Sequence, residues 1–146
     1  MRTWETAITI PGSPSDVLEL LTEPEAISRW APVPFELVSL RGRRLVTGSR
    51  ARIAGRLAGR AVEFEVTVFE VSGERLALAA DGPISIGVQY IVREVSGGSD
   101  VCASVSVDGR GLFGRVLASA TEALLAAGAL RTSLERLGRQ LMPAAA

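Results

Sequence analysis

The sequence predicts an α+β fold: a curved antiparallel sheet of seven strands, two short helices after the first strand, and one long C-terminal helix lying against the sheet. Three observations carry this. Period-2 alternation of apolar and polar residues recurs through the middle of the chain between glycine-containing turns. Proline-flanked helix-start signals interrupt the strands only once, near the N-terminus. The apolar period then changes to that of a helix over about the last thirty residues. At 146 residues the chain has the usual length of one domain, so residues 1–146 are read as a single domain able to bury a core without disulfide or metal.

Thr3 to Ile10 sets Trp4, Thr6, Ile8 and Ile10 on one face and Thr3, Glu5, Ala7 and Thr9 on the other, as a half-buried strand requires. Pro11 ends it. Ser13-Pro14-Ser15-Asp16 supplies an N-cap hydroxyl, a proline where its missing N–H costs nothing, and a carboxylate at the third helical position. The short helix that follows carries Val17, Leu18, Leu20 and Leu21. Thr22-Glu23-Pro24-Glu25 starts a second, bearing Ile27 and Trp30, which Pro32 and Pro34 stop.

From Phe35 to Gly109 about six strands are expected, separated at Arg41-Gly42, Ala58-Gly59, Ser72-Gly73, Asp81-Gly82-Pro83 and Gly97-Gly98. The clearest is Ala61 to Val71, where Val62, Phe64, Val66 and Val68 alternate with Glu63, Glu65 and Thr67. Val88, Tyr90 and Val92 share one face of the next-to-last strand, and Val101, Ala103, Val105 and Val107 one face of the last. Short turns between consecutive strands make the sheet an antiparallel meander.

Leu112 to Met142 suits a helix of roughly eight turns. On a helical wheel Val116, Ala120, Ala123, Ala127, Leu130, Leu134, Leu137 and Leu141 form the expected buried stripe, opposite Thr132, Arg136 and Arg139. Leu125 falls on the outer face, and Gly128 and Gly138 are where a kink would form. Alanine in the middle of the stripe has two readings: it leaves space between helix and sheet, or it lets the two approach closely.

Composition removes several function classes. The chain has no histidine and one cysteine, Cys102, so it offers neither an internal disulfide, nor a Cys/His zinc site, nor a Ser-His-Asp or Cys-His constellation. No metal and no cofactor are expected. All 16 basic residues are arginine, balanced by 16 acidic ones. Seven arginines between Arg41 and Arg60 resemble a basic patch, but Glu63, Glu65 and Glu70 follow closely and no aromatics interleave, so a solvated strand face is expected and no nucleic-acid partner. The N-terminus lacks an apolar signal core, and charges break every apolar run before the roughly 20 residues that span a bilayer, so a cytoplasmic protein without membrane insertion is expected. Gly109-x-Gly111-x-x-Gly114 has the spacing of a dinucleotide fingerprint, but no parallel strand follows it; these glycines are read as turning the chain into the last helix.

The stretch Ile8-Thr9-Ile10-Pro11-Gly12-Ser13-Pro14-Ser15-Asp16-Val17, with Leu20-Leu21-Thr22-Glu23-Pro24-Glu25 through Trp30, is similar to the start of the START-like, Bet v 1-like (SRPBCC) superfamily, particularly its polyketide cyclase/dehydrase-like bacterial branch. The likeness continues through Ala51-Arg52-Ile53-Ala54-Gly55-Arg56 and Glu63-Phe64-Glu65-Val66-Thr67-Val68, and closes with Gly109-Arg110-Gly111-Leu112-Phe113-Gly114-Arg115. It covers almost the whole chain and implies the helix-grip fold, with an apolar cavity between the sheet and the last helix. Members range from lipid carriers to cyclases and interaction modules, and fold does not fix function.

If that cavity is present, Trp30, Phe35, Phe64, Val66, Tyr90, Val105, Ala120 and Ala127 are its expected lining. Trp30 either gates the mouth or closes its short helix onto the core, and Tyr90 either orients a ligand oxygen or reaches a backbone carbonyl. Arg131, at the edge of the apolar stripe, either clamps an anionic group or snorkels, and Arg52 sits on a strand face that is either ligand-facing or solvent-facing. The leading functional expectation is binding of a hydrophobic small molecule or lipid. The alternatives are a cyclase-like enzyme, with arginine donors and Tyr90 or water moving protons, and a protein-interaction module. Oligomeric state is left open.

Overall fold

The computed structural model describes residues 2–30, 35–57 and 59–141. In chain order it contains β1 (Arg2–Ile10), α1 (Pro14–Thr22), α2 (Pro24–Trp30), β2 (Phe35–Leu40), β3 (Arg50–Leu57), β4 (Arg60–Val71), β5 (Arg75–Asp81), β6 (Ile84–Val95), β7 (Gly98–Gly109), α3 (Gly111–Ala126) and α4 (Ala129–Leu141). The seven strands form one antiparallel sheet in the order β1-β7-β6-β5-β4-β3-β2. Every pairing joins sequence neighbours except β1 with β7, which brings the two ends of the meander's chain together.

The local signals act where the chemistry demands. Ser13 caps α1 by accepting a hydrogen bond from the Asp16 N–H at 3.2 Å, while the Asp16 carboxylate accepts one from the Ser13 N–H at 3.4 Å. Pro14 occupies the first turn. The expected stop at Pro32 and Pro34 lies outside the described residues. Register slips between Leu37 and Ser39 in β2 and between Val68 and Glu70 in β4 are bulges that bend those strands and deepen the curvature of the sheet.

The inner face carries the expected set. Val62, Phe64, Val66 and Val68 are all buried, as are Val101, Ala103, Val105 and Val107, while Glu63 and Glu65 are exposed. One end of the concave face is filled by α1, α2 and α4, which pack on one another and, through α4, on β1. Val17, Leu21, Leu134 and Leu137 are completely buried there. The loop from β2 to β3 is tied over α1: the Leu45 N–H donates to the Thr22 carbonyl at 2.9 Å and the Arg44 guanidinium to the Glu19 carbonyl at 2.6 Å.

The C-terminal helical segment has the expected extent but bends by 56° between α3 and α4. The cause is Gly128, whose φ of +96° ends α3 in a left-handed turn that residues with a Cβ rarely adopt. Its N–H donates to the Leu125 carbonyl at 3.1 Å, and α4 restarts at once. The bend also corrects the expected stripe. In α4 the buried residues are Leu130, Ser133, Leu134, Leu137 and Gly138, close to expectation. In α3 they are Gly114, Leu117, Ala118, Thr121 and Leu125, so Leu125 packs inward and Val116, Ala123 and Ala127 stay exposed. No single helix is long and apolar enough to cross a membrane.

The glycines entering α3 act through size as well as turning. Gly111 has φ +72°, and a Cβ on Gly109 would collide with the Gly114 carbonyl oxygen and sit 2.8 Å from the Ala118 Cβ. The fingerprint-like spacing is thus a close contact between the end of β7 and the first turn of α3.

Candidate ligand cleft

Strand register puts three apolar rows across the concave face. Leu37, Ile53 and Phe64 align on β2, β3 and β4. Ala51, Val66, Ala80, Ile86 and Val107 align from β3 to β7. Val68, Leu78, Val88, Val105 and Trp4 align from β4 through to β1. All point toward the helices, yet they are not uniformly covered. Phe64 and Val68 are 1% exposed, whereas Leu37 is 48% exposed and Ile53, Leu78, Val88 and Trp4 are half-buried. These inward-pointing side chains are thus only partly covered by the helices.

The rotation of α3 explains why. Helix α3 packs chiefly on β7 and also touches β6, β1 and β3, and its packed arc is bounded on the β1 side by Glu122, 3.8 Å from Arg2. The other flank turns toward β3 and β4, where the Arg60 guanidinium stands 5.2 Å from the centroid of the Phe113 ring. That flank is apolar too: Phe113, Val116 and Leu124 are 47%, 54% and 42% exposed, and Ala120 is half-buried between them. An apolar flank of α3 thus faces the partly accessible apolar rows of β2–β5, and these two surfaces are the candidate walls of a ligand site.

The buried hydroxyls are engaged within the fold. Tyr90, 2% exposed, hydrogen-bonds the hydroxyl of Ser133, which is fully buried on α4. Burial pushes the phenol well above its ordinary value, with the Ser133 bond opposing in part, so it stays neutral. The Thr121 and Thr22 hydroxyls donate to the carbonyls of Leu117 and Leu18, at 3.0 and 2.7 Å, and Ser99 donates to the Gly12 carbonyl at 2.8 Å. Among the described residues no group of His, Cys, Asp and Glu is placed to hold a metal ion.

The sequence-derived residues separate into three groups. Phe64, Val66, Tyr90 and Val105 point inward and are buried, and Ala120 lies on the accessible flank of α3. Arg52, Ala127 and Arg131 do not face the interior. Arg52 is exposed on the convex face, paired across the strands with exposed Glu65, because the alternation of β3 turns Ala51 and Ile53 inward. Ala127 is exposed at the C-cap of α3, where the bend carries it away from the sheet. Arg131 is exposed on α4 with its Nε 3.5 Å from the Glu135 carboxylate, one turn along the same outer face. The side chains of Trp30 and Phe35 lie outside the described residues. Sequence reasoning missed Leu37, Ile53, Leu78 and Val88, whose strand alternation was readable, and Phe113, Val116 and Leu124, whose accessibility depends on helix rotation.

A groove of about 680 Å³ lies at the far end of the sheet between the start of α1, the turn at Gly73 and the last residues of β6. Pro14 and Val92 line it beside Ser13, Glu74, Arg93 and Glu94, so its wall mixes apolar surface with charges of both signs.

Comparison with known proteins agrees with this architecture. The chain is similar in fold to a protein from Thermus thermophilus (TTHA0849; TM-score 0.73, 18% identity, covering 99% of this chain and 100% of that one). It is equally similar to protein CV1439 from Chromobacterium violaceum (TM-score 0.72, 18% identity, 98% and 99% covered). A third likeness is to Ara h 8.0201 (TM-score 0.61, 13% identity, 93% and 97% covered). At these identities the likeness shows the helix-grip, Bet v 1-like fold and nothing of ligands. No curated protein matches the sequence. The model of the family described as polyketide cyclase / dehydrase and lipid transport matches residues 1–141, and the chain belongs to that START-like family.

Proposed function

We propose that this protein binds a hydrophobic small molecule, such as a lipid or an apolar metabolite, in the cleft between α3 and the concave face of β2–β5. The observation that carries the reading is the accessibility of Leu37, Ile53, Leu78 and Val88 on an inward-facing surface opposite the uncovered apolar flank of α3. Apolar area left in contact with water is the driving force for an apolar ligand, at roughly 25 cal/mol per Å² removed from solvent. Family membership supports the same reading.

A cyclase-like enzyme would need proton-moving or charge-stabilising groups in the cleft. Of the residues suggested for that role, Tyr90 is buried with its hydroxyl bonded to Ser133, and Arg52 and Arg131 face solvent. Binding without turnover is the better-supported reading.

Native mass spectrometry of the purified protein, followed by organic extraction, tests it. A stoichiometric apolar adduct, lost on replacing Ala120 by tryptophan, is the expected result. A clean apo mass, with no binding across a panel of lipids and aromatic polyketides, would sink the proposal.

A further inference from the structure

The end of the molecule where the β3–β4 hairpin, the β5–β6 turn and the first turn of α3 converge is both apolar and basic. Leu112 is 84% exposed, the most exposed of the large apolar side chains among the described residues, beside Phe113 at 47% and Val116 at 54%. Arg60, Arg110 and Arg115 flank them and are exposed, and Arg60 lies over Phe113. None of the three is in an ion pair among the described residues. The carboxylates at this end, Asp81 and Asp108, are on the convex face with Ser85 and Arg56, and Asp81 accepts the Ser85 hydroxyl proton at 3.1 Å.

From this juxtaposition we infer that the tip docks on an anionic lipid bilayer, with Leu112 and Phe113 entering the headgroup region and Arg60, Arg110 and Arg115 meeting lipid phosphates. The occupant follows from the chemistry. A small protruding apolar wedge flanked by long arginine side chains has the pattern of an interfacial anchor: apolar groups reach the acyl boundary while guanidinium groups stay at phosphate depth. The wedge also continues, through Val116 and Ala120, along the flank of α3 into the proposed cleft, so an apolar molecule leaving the bilayer keeps an apolar surface beneath it. That continuation rests on the cleft reading; the docking itself does not.

The test is cosedimentation of the full chain with phosphatidylcholine vesicles, with and without about one-third phosphatidylglycerol. Binding is expected only with the anionic lipid, and weaker as ionic strength rises from about 0.1 to 0.5 M and the Debye length shortens. The variant Leu112→Ser/Arg110→Gln/Arg115→Gln changes no residue of the cleft. It should lower the partition coefficient at least 20-fold, from about fivefold for each arginine near an anionic surface, without shifting the melting temperature. A bimane label on Leu112→Cys, in a Cys102→Ser background, should shift to the blue on anionic vesicles, while a label on Glu74→Cys at the far end of the sheet should not.

Equal binding to neutral vesicles, no binding to anionic ones, or a blue shift at Glu74 instead would overturn the inference. So would concentration-dependent dimerisation that Leu112→Ser abolishes in the absence of vesicle binding, which would make the tip a contact between copies. Vesicle binding by a chain that carries no extractable apolar molecule keeps the docking and removes the cleft reading; the converse result does the opposite.

Discussion

Tyr90→Phe deletes one oxygen from the core and leaves the ring that fills its place. The phenol is 2% exposed and Ser133 is not exposed at all, so water reaches neither hydroxyl when the bond between them is lost. Ser133 can turn back to the carbonyl one turn earlier in α4, which softens the loss. The expected cost is about 1–2 kcal/mol, or roughly 2–8 °C in Tm for a domain of this size. Ser133→Ala should cost a similar amount, and the double variant less than the sum, with a coupling of about 1 kcal/mol. Urea unfolding at constant m-value measures all four corners of the cycle.

The same residue gives a signature in alkali. Its folded value is raised above its unfolded one, so its contribution to stability is fully present below about pH 10 and is lost as pH rises from there toward the folded value. Over that range stability should fall by up to about 1.4 kcal/mol per pH unit, and Tyr90→Phe should remove this component. Tyr90 is the chain's single tyrosine, so absorbance titration reads it alone. Ionisation of the native protein near pH 10, or additive single variants, would refute the buried pair.

Phe64→Ala should destabilise by about 3–5 kcal/mol, because the ring is 1% exposed and joins the rows at the centre of the concave face; thermal melting checks it. Ala120→Trp should reduce binding of an apolar ligand with less than about 1 kcal/mol change in stability, since the added ring enters the accessible flank rather than the packed arc of α3; ligand titration beside a urea curve separates the two. Gly128→Ala should cost about 1–2 kcal/mol, because alanine at φ +96° carries the left-handed penalty although nothing lies within 4 Å of the added Cβ; Gly128→Asn should cost less. Equal losses for alanine and asparagine would point instead to altered packing of α4.

The strands were readable because each buries one face. Val62, Phe64, Val66 and Val68 against Glu63 and Glu65 leave a single register that hides the apolar set, and slipping it by one residue would expose every member. The capping box of α1 was equally legible, because its chemistry is complete within four residues. Arg52 and Arg131 were ambiguous for the converse reason. An arginine beside an apolar stripe is compatible with either face until its neighbours are fixed, and Glu65 and Glu135 fix these two on the outside. The bulges in β2 and β4 left no local mark, since a bulge is defined by the pairing of two strands and not by the residues of one.

Helix α3 shows where periodicity stops deciding. Leu112, Phe113, Val116, Leu117, Ala118, Ala120, Ala123, Leu124 and Leu125 occupy well over half its circumference, so more than one rotation places an apolar stripe on the sheet. Stripe counting favoured Val116, Ala120, Ala123 and Ala127; the molecule packs Leu117, Ala118, Thr121 and Leu125. The tie is broken by glycine. With no Cβ on Gly109 or Gly114, the first turn of α3 lies directly against the end of β7, and a Cβ on Gly114 would stand 3.0 Å from the Pro83 carbonyl oxygen. That contact puts Gly114 on the packed arc, and Leu117, Ala118 and Thr121 follow one turn on and beyond. The Val116 and Ala120 flank must then look across the sheet toward β3 and β4. The three residues that resemble a nucleotide fingerprint thus fix the rotation of the helix, and through it which apolar surface is packed and which is left uncovered.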